Sequence, residues 1–205
     1  MANDIEALRG FADALARSPV VATNAAAKAL NAGAEEAERL GRDSILSEFN
    51  LERAYVERNL FVKDEAKRTD LLSRIRANNR SVLAPRFGAE VATEPATSAR
   101  NRLRGDPSRN IPLGRKAAGS KPWSMKRDGR AVPWRNAFFL RLRTSGAWAM
   151  AVRQGSGENW GRNGDLRVIS GISVGQAWRA NRDDIAPQAL KVANRVFAQE
   201  LERNL

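Results

Sequence analysis

The sequence predicts an α+β fold: an antiparallel sheet of about four strands with N-terminal and C-terminal helices packed on it, plus a long irregular basic loop. Three observations lead there. Apolar residues recur at helical spacing near both ends, alternate with polar residues in short pieces between them, and give way to prolines and glycines from 85 to 122. The 205 residues read as a single domain, 1–205. It is helical over 1–62, sheet over 63–170 with the irregular basic excursion at 85–122, and helical over 171–205.

Ile5, Leu8, Phe11, Ala12 and Leu15 fall on one helical face, and Ser18-Pro19 closes that helix and opens the next. From Val20 to Leu46 the chain is Ala-rich, and Val20, Thr23, Ala27, Leu30, Ala34, Ala37 and Leu40 form a thin stripe of small residues. Small side chains let another backbone approach closely but bury little area each, so this helix depends on packing along its length. A third helix is expected from Leu51 to about Leu60, with Asn50 as its N-cap.

The period then changes to two. Leu72, Arg74 and Arg76 alternate against Leu71, Ser73, Ile75 and Ala77, and Asn78-Asn79 marks a turn into Ser81 to Ala84. Further strands are expected at Trp123 to Lys126 before the Asp128-Gly129 turn, at Phe138 to Arg143, at Trp148 to Arg153 and at Leu166 to Ile169. Ser173 with Gln176 is a capping-box pattern. Asn181, Asp183 and Asp184 before Ile185-Ala186-Pro187 then read as a break and a new helix start. Leu190, Ala193, Val196, Phe197 and Leu201 give the final helix its apolar face.

Five of the eight prolines (85, 95, 107, 112 and 122) lie in the irregular stretch. It is expected to be a basic loop ordered only in an assembly, with a nucleic-acid-tracking arm or simple disorder as alternatives.

The formal net charge is +12, and its distribution is uneven: residues 61–170 hold 23 basic and 9 acidic side chains. Of the 35 basic residues 28 are Arg, whose planar fork suits phosphate, carboxylate or backbone carbonyl partners. Cys and His are both absent, which excludes disulfides, Cys/His zinc sites and Ser-His-Asp or Cys-His nucleophiles. No secretory pattern and no run of 18 apolar residues occurs, so the partner is expected to be met from solution, with no membrane involved.

Tests for chemistry come back empty. No GxGxxG or GxxxxGK[ST] motif occurs, and Gly155, Gly157, Gly161 and Gly164 fit a hairpin tip better than a phosphate cradle. Glu35-Glu36-Glu38 reads as surface solubility and Asp183-Asp184 as helix capping. The expectation is therefore a protein that is not an enzyme, with no catalytic residue, cofactor, metal or small-molecule substrate.

What remains is a set of interface or DNA-facing candidates. Arg74, Arg76, Arg141 and Arg143 lie on strands expected to be neighbours. Arg100, Arg102, Arg104, Arg109, Arg115 and Lys116 lie in the basic stretch, and Trp123 and Trp134 border it. Tryptophan beside arginine serves either a protein interface or base stacking.

Taken in order, five pieces resemble the minor tail protein Z family of tailed bacteriophages. They are NAAAKALNAGAEEAERLGRDSI (24–45), FNLERAYVERNLFV (49–62), LLSRIRANNRSVLAPRFGA (71–89), AFFLRLRTSGAWAMAVR (137–153) and LRVISGISVGQAWR (166–179). A closing amphipathic helix follows, and Ser170-Gly171-Ile172-Ser173 stands where the family has a Gly-Pro-Ser-type turn. The resemblance implies a structural virion protein of the tail end or neck. It would be assembled in the host cytoplasm, complete the tail and help join it to the head by assembly without turnover. Partners would be other tail or neck proteins and copies of itself in a ring, with non-specific contact to packaged DNA possible in that place. The alternative is a basic nucleic-acid-binding protein.

Overall fold

The computed structural model describes residues 9–10, 12–13, 16, 18–103, 105–153 and 166–204. Of the first expected helix, Ile5, Leu8, Phe11 and Leu15 lie outside the described residues, as do Arg104 and the glycine-rich stretch with Trp160. The fold is α+β, and its contacts group the chain into two compact units. The first comprises Met1–Ile45, Arg53–Asn79 and Val174–Leu205, and the second Leu46–Glu52 and Arg80–Ser173.

The first unit is built on helices α1 (Pro19–Glu48) and α4 (Val174–Asn204), with the short α2 (Arg53–Asn59) and a two-stranded antiparallel sheet, β1 (Leu60–Asp64) and β2 (Arg74–Ala77). Small residues do form the buried face of α1, but not along the expected stripe: Val20 and Leu30 are exposed, and Ala22, Ala25, Ala29 and Gly33 are buried with Ala27. Ala25 and Ala29 are buried with Phe197, and a Cβ on Gly33 would lie 3.0 Å from that of Ala193. Two helices approaching this closely gain dispersion contacts that larger side chains would forbid.

Three polar side chains of α1 close the outer edge of β1 and the chain just beyond it. The Asn31 amide donates to the Ala66 carbonyl (3.0 Å) and accepts from the Ala66 N–H (2.6 Å). The Glu38 carboxylate accepts the Val62 N–H (2.5 Å), and Arg42 Nε donates to the Leu60 carbonyl (3.1 Å). A helix thus supplies side-chain partners where another strand would supply backbone, which blunts the edge. Glu38, expected to be a solvated surface charge, is instead largely buried and ion-paired with Arg42.

Three local features differ from the expectation. Helix α2 ends at Asn59, near its expected end, but the helical region expected over 1–62 gives way there to β1, because Leu60-Phe61-Val62 pairs with Ala77, Arg76 and Ile75. Asn50 does not cap α2; its side chain donates to the Ser124 (3.0 Å) and Lys126 (3.1 Å) carbonyls inside the second unit. No break occurs at 181–187. Helix α4 runs through Pro187, with Ile185 and Ala189 buried on either side, so packing outweighs the one backbone bond a proline removes.

The second unit holds a four-stranded antiparallel sheet in the order β3 (Val82–Leu83), β8 (Leu166–Gly171), β7 (Trp148–Arg153), β6 (Ala137–Arg141). Phe139, Met150 and Ile169 share one face through the registers Phe139↔Met150 and Met150↔Ile169. Phe139 and Met150 are buried with Ala84, Ala89 and Ala137, and Trp123, Trp148, Val152 and Ile169 pack against that cluster. The sheet expected from the sequence is present, but its fourth member is 82–83 and not 71–77, which pairs with β1.

The stretch expected to be irregular is largely built. After a 3-10 turn (Ala84–Phe87), β4 (Val91–Pro95) and β5 (Arg115–Ser120) form an antiparallel ribbon. Between them lie the four-residue helix α3 (Ala99–Arg102) and a 3-10 turn at Pro107–Arg109. Proline breaks strands only where it removes a ladder bond; Pro95 sits at the end of an edge strand and Pro107 opens a turn, so neither conflicts with order.

Candidate interface surface

The structure divides the sequence-derived candidates between the units. Arg74 and Arg76 are exposed on β2 in the first unit, Arg74 lying 3.4 Å from the Asp64 carboxylate. Arg141 ends β6, with its guanidinium 5.2 Å from the Trp148 ring centre, and Arg143 lies in the exposed turn before β7. The four do not share neighbouring strands, so the site expected from their combination does not form.

On the β4–β5 ribbon most cations are already engaged. Lys116 pairs with Glu94 (3.0 Å) and Arg109 with Asp106 (3.2 Å). Arg115 donates to the Thr93 hydroxyl (2.8 Å) and carbonyl (2.6 Å), and Arg102 Nε to the Ala96 carbonyl (3.3 Å). Arg100 belongs to α3, and Arg104 lies outside the described residues. These arginines shape the ribbon as much as they charge it.

Trp123 and Trp134 come together, with ring centres 6.4 Å apart and planes inclined by 37°. Trp123 packs against the core cluster with its Nε1–H buried and without a hydrogen-bond partner among the described residues, while Trp134 is 39% exposed. They flank a hairpin closed by mutual backbone bonds, Trp123 N–H to the Val132 carbonyl (3.4 Å) and Val132 N–H to the Trp123 carbonyl (3.1 Å). Gly129 N–H to the Lys126 carbonyl (3.2 Å) makes its turn. The expected strand at 123–126 is thus reduced to isolated pairings, although the Asp128-Gly129 reversal is present.

Exposed Arg127, Arg130 and Arg135 also sit on this hairpin, and sequence reasoning did not single them out. A signal was available: Pro122-Trp123 and Pro133-Trp134 repeat one dipeptide on either side of Asp128-Gly129.

The rest of the surface offers less. A cavity of about 270 Å³ in the first unit is lined by Asn24, Lys28, Asn31, Glu200 and Asn204. Lys28 is paired with Glu200 at 2.6 Å, Asn31 is bonded to Ala66, and Asn204 donates to the Glu200 carbonyl (2.7 Å). Among the described residues no group of acidic side chains is placed to hold a metal ion, and no helix is long and apolar enough to cross a membrane.

Charge separates the units clearly. The second holds 18 basic and 8 acidic side chains, the first 17 and 15. Comparison of the chain with protein-family models, curated proteins and solved structures finds no match.

Proposed function

We propose that this chain is a structural virion protein of the bacteriophage tail end or neck, which completes the tail and helps join it to the head by oligomeric assembly. The observation that carries the reading is the order of the five family-like pieces. What supports it further is where those pieces fall: 24–45 on α1, 49–62 through α2 into β1, 71–89 from β2 to the 3-10 turn, 137–153 on the β6–β7 hairpin, and 166–179 from β8 into α4. The long internal stretch from 90 to 136, which none of the five pieces covers, holds the ribbon and the Trp123–Trp134 hairpin.

Other tail or neck proteins and further copies of this chain, arranged in a ring, are its partners in this reading. It needs no catalytic residue, cofactor or small-molecule substrate. Virion residence follows from the role, with assembly in the host cytoplasm. Mass spectrometry of gradient-purified particles tests it directly. The expected result is the protein in intact particles, with gene deletion leaving unjoined heads and tails. Absence from purified particles overturns the reading and favours the basic nucleic-acid-binding alternative.

A further inference from the structure

We propose that the hairpin from Lys121 to Asn136 is a contact site for single-stranded nucleic acid, in which Arg127, Arg130 and Arg135 meet phosphates and Trp134 stacks on a base. The inference concerns a surface of the chain and stands apart from residence in a particle.

The hairpin is held before any ligand arrives. Besides the Trp123–Val132 pair, Asn50 N–H donates to the Met125 carbonyl (2.9 Å) and Arg127 N–H to the Glu48 carbonyl (3.0 Å). Ser120 and Trp134 exchange two bonds, Ser120 N–H to the Trp134 carbonyl and Trp134 N–H to Ser120 Oγ, both at 3.0 Å. A loop already fixed in place loses little entropy on binding.

Charge on this hairpin is sorted by residue type. Lys121 is paired with Glu90 (2.7 Å) and Lys126 with Glu48 (2.8 Å). Arg127, Arg130 and Arg135 are exposed, and none is ion-paired among the described residues. The exposed cations without an ion pair are therefore guanidiniums, three against the hairpin's one carboxylate, Asp128 at the turn, and guanidinium grips phosphate oxygens through paired donors.

Trp134 supplies what phosphate contact alone does not need. Trp134 is 39% exposed yet backed by Trp123, itself packed on the core, so an aromatic surface is held on the same hairpin as the three arginines. Stacking requires an accessible base face, which a duplex hides and a single strand offers. An acidic protein would use the same arginines, and dependence on Trp134 stacking tells the two ligands apart.

Fluorescence anisotropy of the full chain with a labelled oligothymidylate of about 20 nucleotides, from about 20 to about 150 mM salt, tests the proposal. Binding is expected at low salt with a log–log slope of about −2, three phosphates contributing about 0.7 each on a single strand. At about 0.15 M salt the dissociation constant should be weaker than about 1 μM. R127Q/R130Q/R135Q should abolish binding. Trp134→Ala should weaken it about 5- to 150-fold, while Trp134→Phe keeps most of it. The charge-matched control R68Q/K191Q/R203Q should leave binding unchanged.

No binding at low salt overturns the site, as does equal loss in the control. Loss in the hairpin arginine variant with no effect of Trp134→Ala, together with equal binding of poly-L-glutamate, overturns the nucleic-acid ligand in favour of an acidic protein surface. Because particle composition is measured separately, failure here and failure of the virion reading are distinguishable.

Discussion

The two units solve the same problem, a small antiparallel sheet that must be covered and kept from its neighbours, with different materials. In the first, α1 lends Asn31, Glu38 and Arg42 to β1 and the residue beyond it, and its acids are largely spent on nearby cations: Glu36 and Asp43 on Arg39, Glu38 on Arg42, Glu200 on Lys28. In the second, strands pair with strands, acids are few, and the hairpin carries Arg127, Arg130 and Arg135 with no ion pair among the described residues. A unit that neutralises itself is suited to structure, whereas one that exports charge is suited to partners. The contrast also predicts where each unit yields.

The largest expected effect is at Gly119 in the second unit. Its φ is +86°, and a Cβ there would overlap the Trp134 carbonyl and the Arg135 backbone. Left-handed strain of about 1–2 kcal/mol and overlap with backbone together put Gly119→Ala at about 3 kcal/mol or more. In the first unit, Gly41→Ala would press on the ring of Trp178, a side chain that can shift, so about 1–2 kcal/mol is expected. Urea denaturation measures both. An equal cost for the two would mean that the helical unit is as unyielding as the strand unit.

A middle-sized effect tests the edge protection. Glu38→Gln replaces a charge-assisted acceptor for the Val62 N–H and leaves Arg42 without its carboxylate, at an expected cost of about 1–2 kcal/mol. Glu35→Gln, on the same helix and exposed, should stay within about 0.5 kcal/mol. If both variants unfold at the same urea concentration, Glu38 is the solvated charge that the sequence suggested.

That pair of glutamates shows how far the sequence could be read. Periodicity places α1 and α4, because helical spacing is a local property, and it finds the β6–β7 hairpin, where Gly146 adopts a positive φ of 63° at the turn. It misses β1, since Leu60-Phe61-Val62 continues a helical stripe until Ala77, Arg76 and Ile75 offer a ladder from 15 residues away. Pro187 reads as a stop because its missing N–H is visible in the sequence and the burial of Ile185 and Ala189 is not. The candidate surface was half legible. Trp123 and Trp134 stand out by residue type, but Arg127, Arg130 and Arg135 are distinguished only by lacking an ion pair among the described residues, which is a property of the folded surface.

The smallest expected effect is the most specific to the contrast between units, because it appears as pH dependence with different signs. Hydrogen bonds from Arg39, Lys121 and Lys28 hold the carboxyls of Glu36, Glu90 and Glu200 below the ordinary carboxylate range. The unfolded chain therefore takes up protons first as pH falls. The stabilisation is present above the unfolded carboxyl pKa and is lost as pH drops through the folded values. Glu36 and Glu200 lie in the first unit and Glu90 in the second, so both units share an acid limb. On the alkaline side, the hydrogen bond to Glu48 raises the Lys126 ammonium above its ordinary value. That contribution is full below the unfolded lysine pKa and is lost as pH rises through the folded one, and Lys126 belongs to the second unit. Arg39 is raised too, by its hydrogen bond to Glu36, but a guanidinium stays protonated wherever the chain stays folded. All these groups are at the surface, so the limbs are shallow and should flatten as salt screens the pairs. Thermal melts across the acid and alkaline ranges check this. Glu90→Gln should soften the acid limb only, and Lys126→Met the alkaline limb only. An alkaline limb that survives Lys126→Met would move its origin away from the Lys126–Glu48 pair.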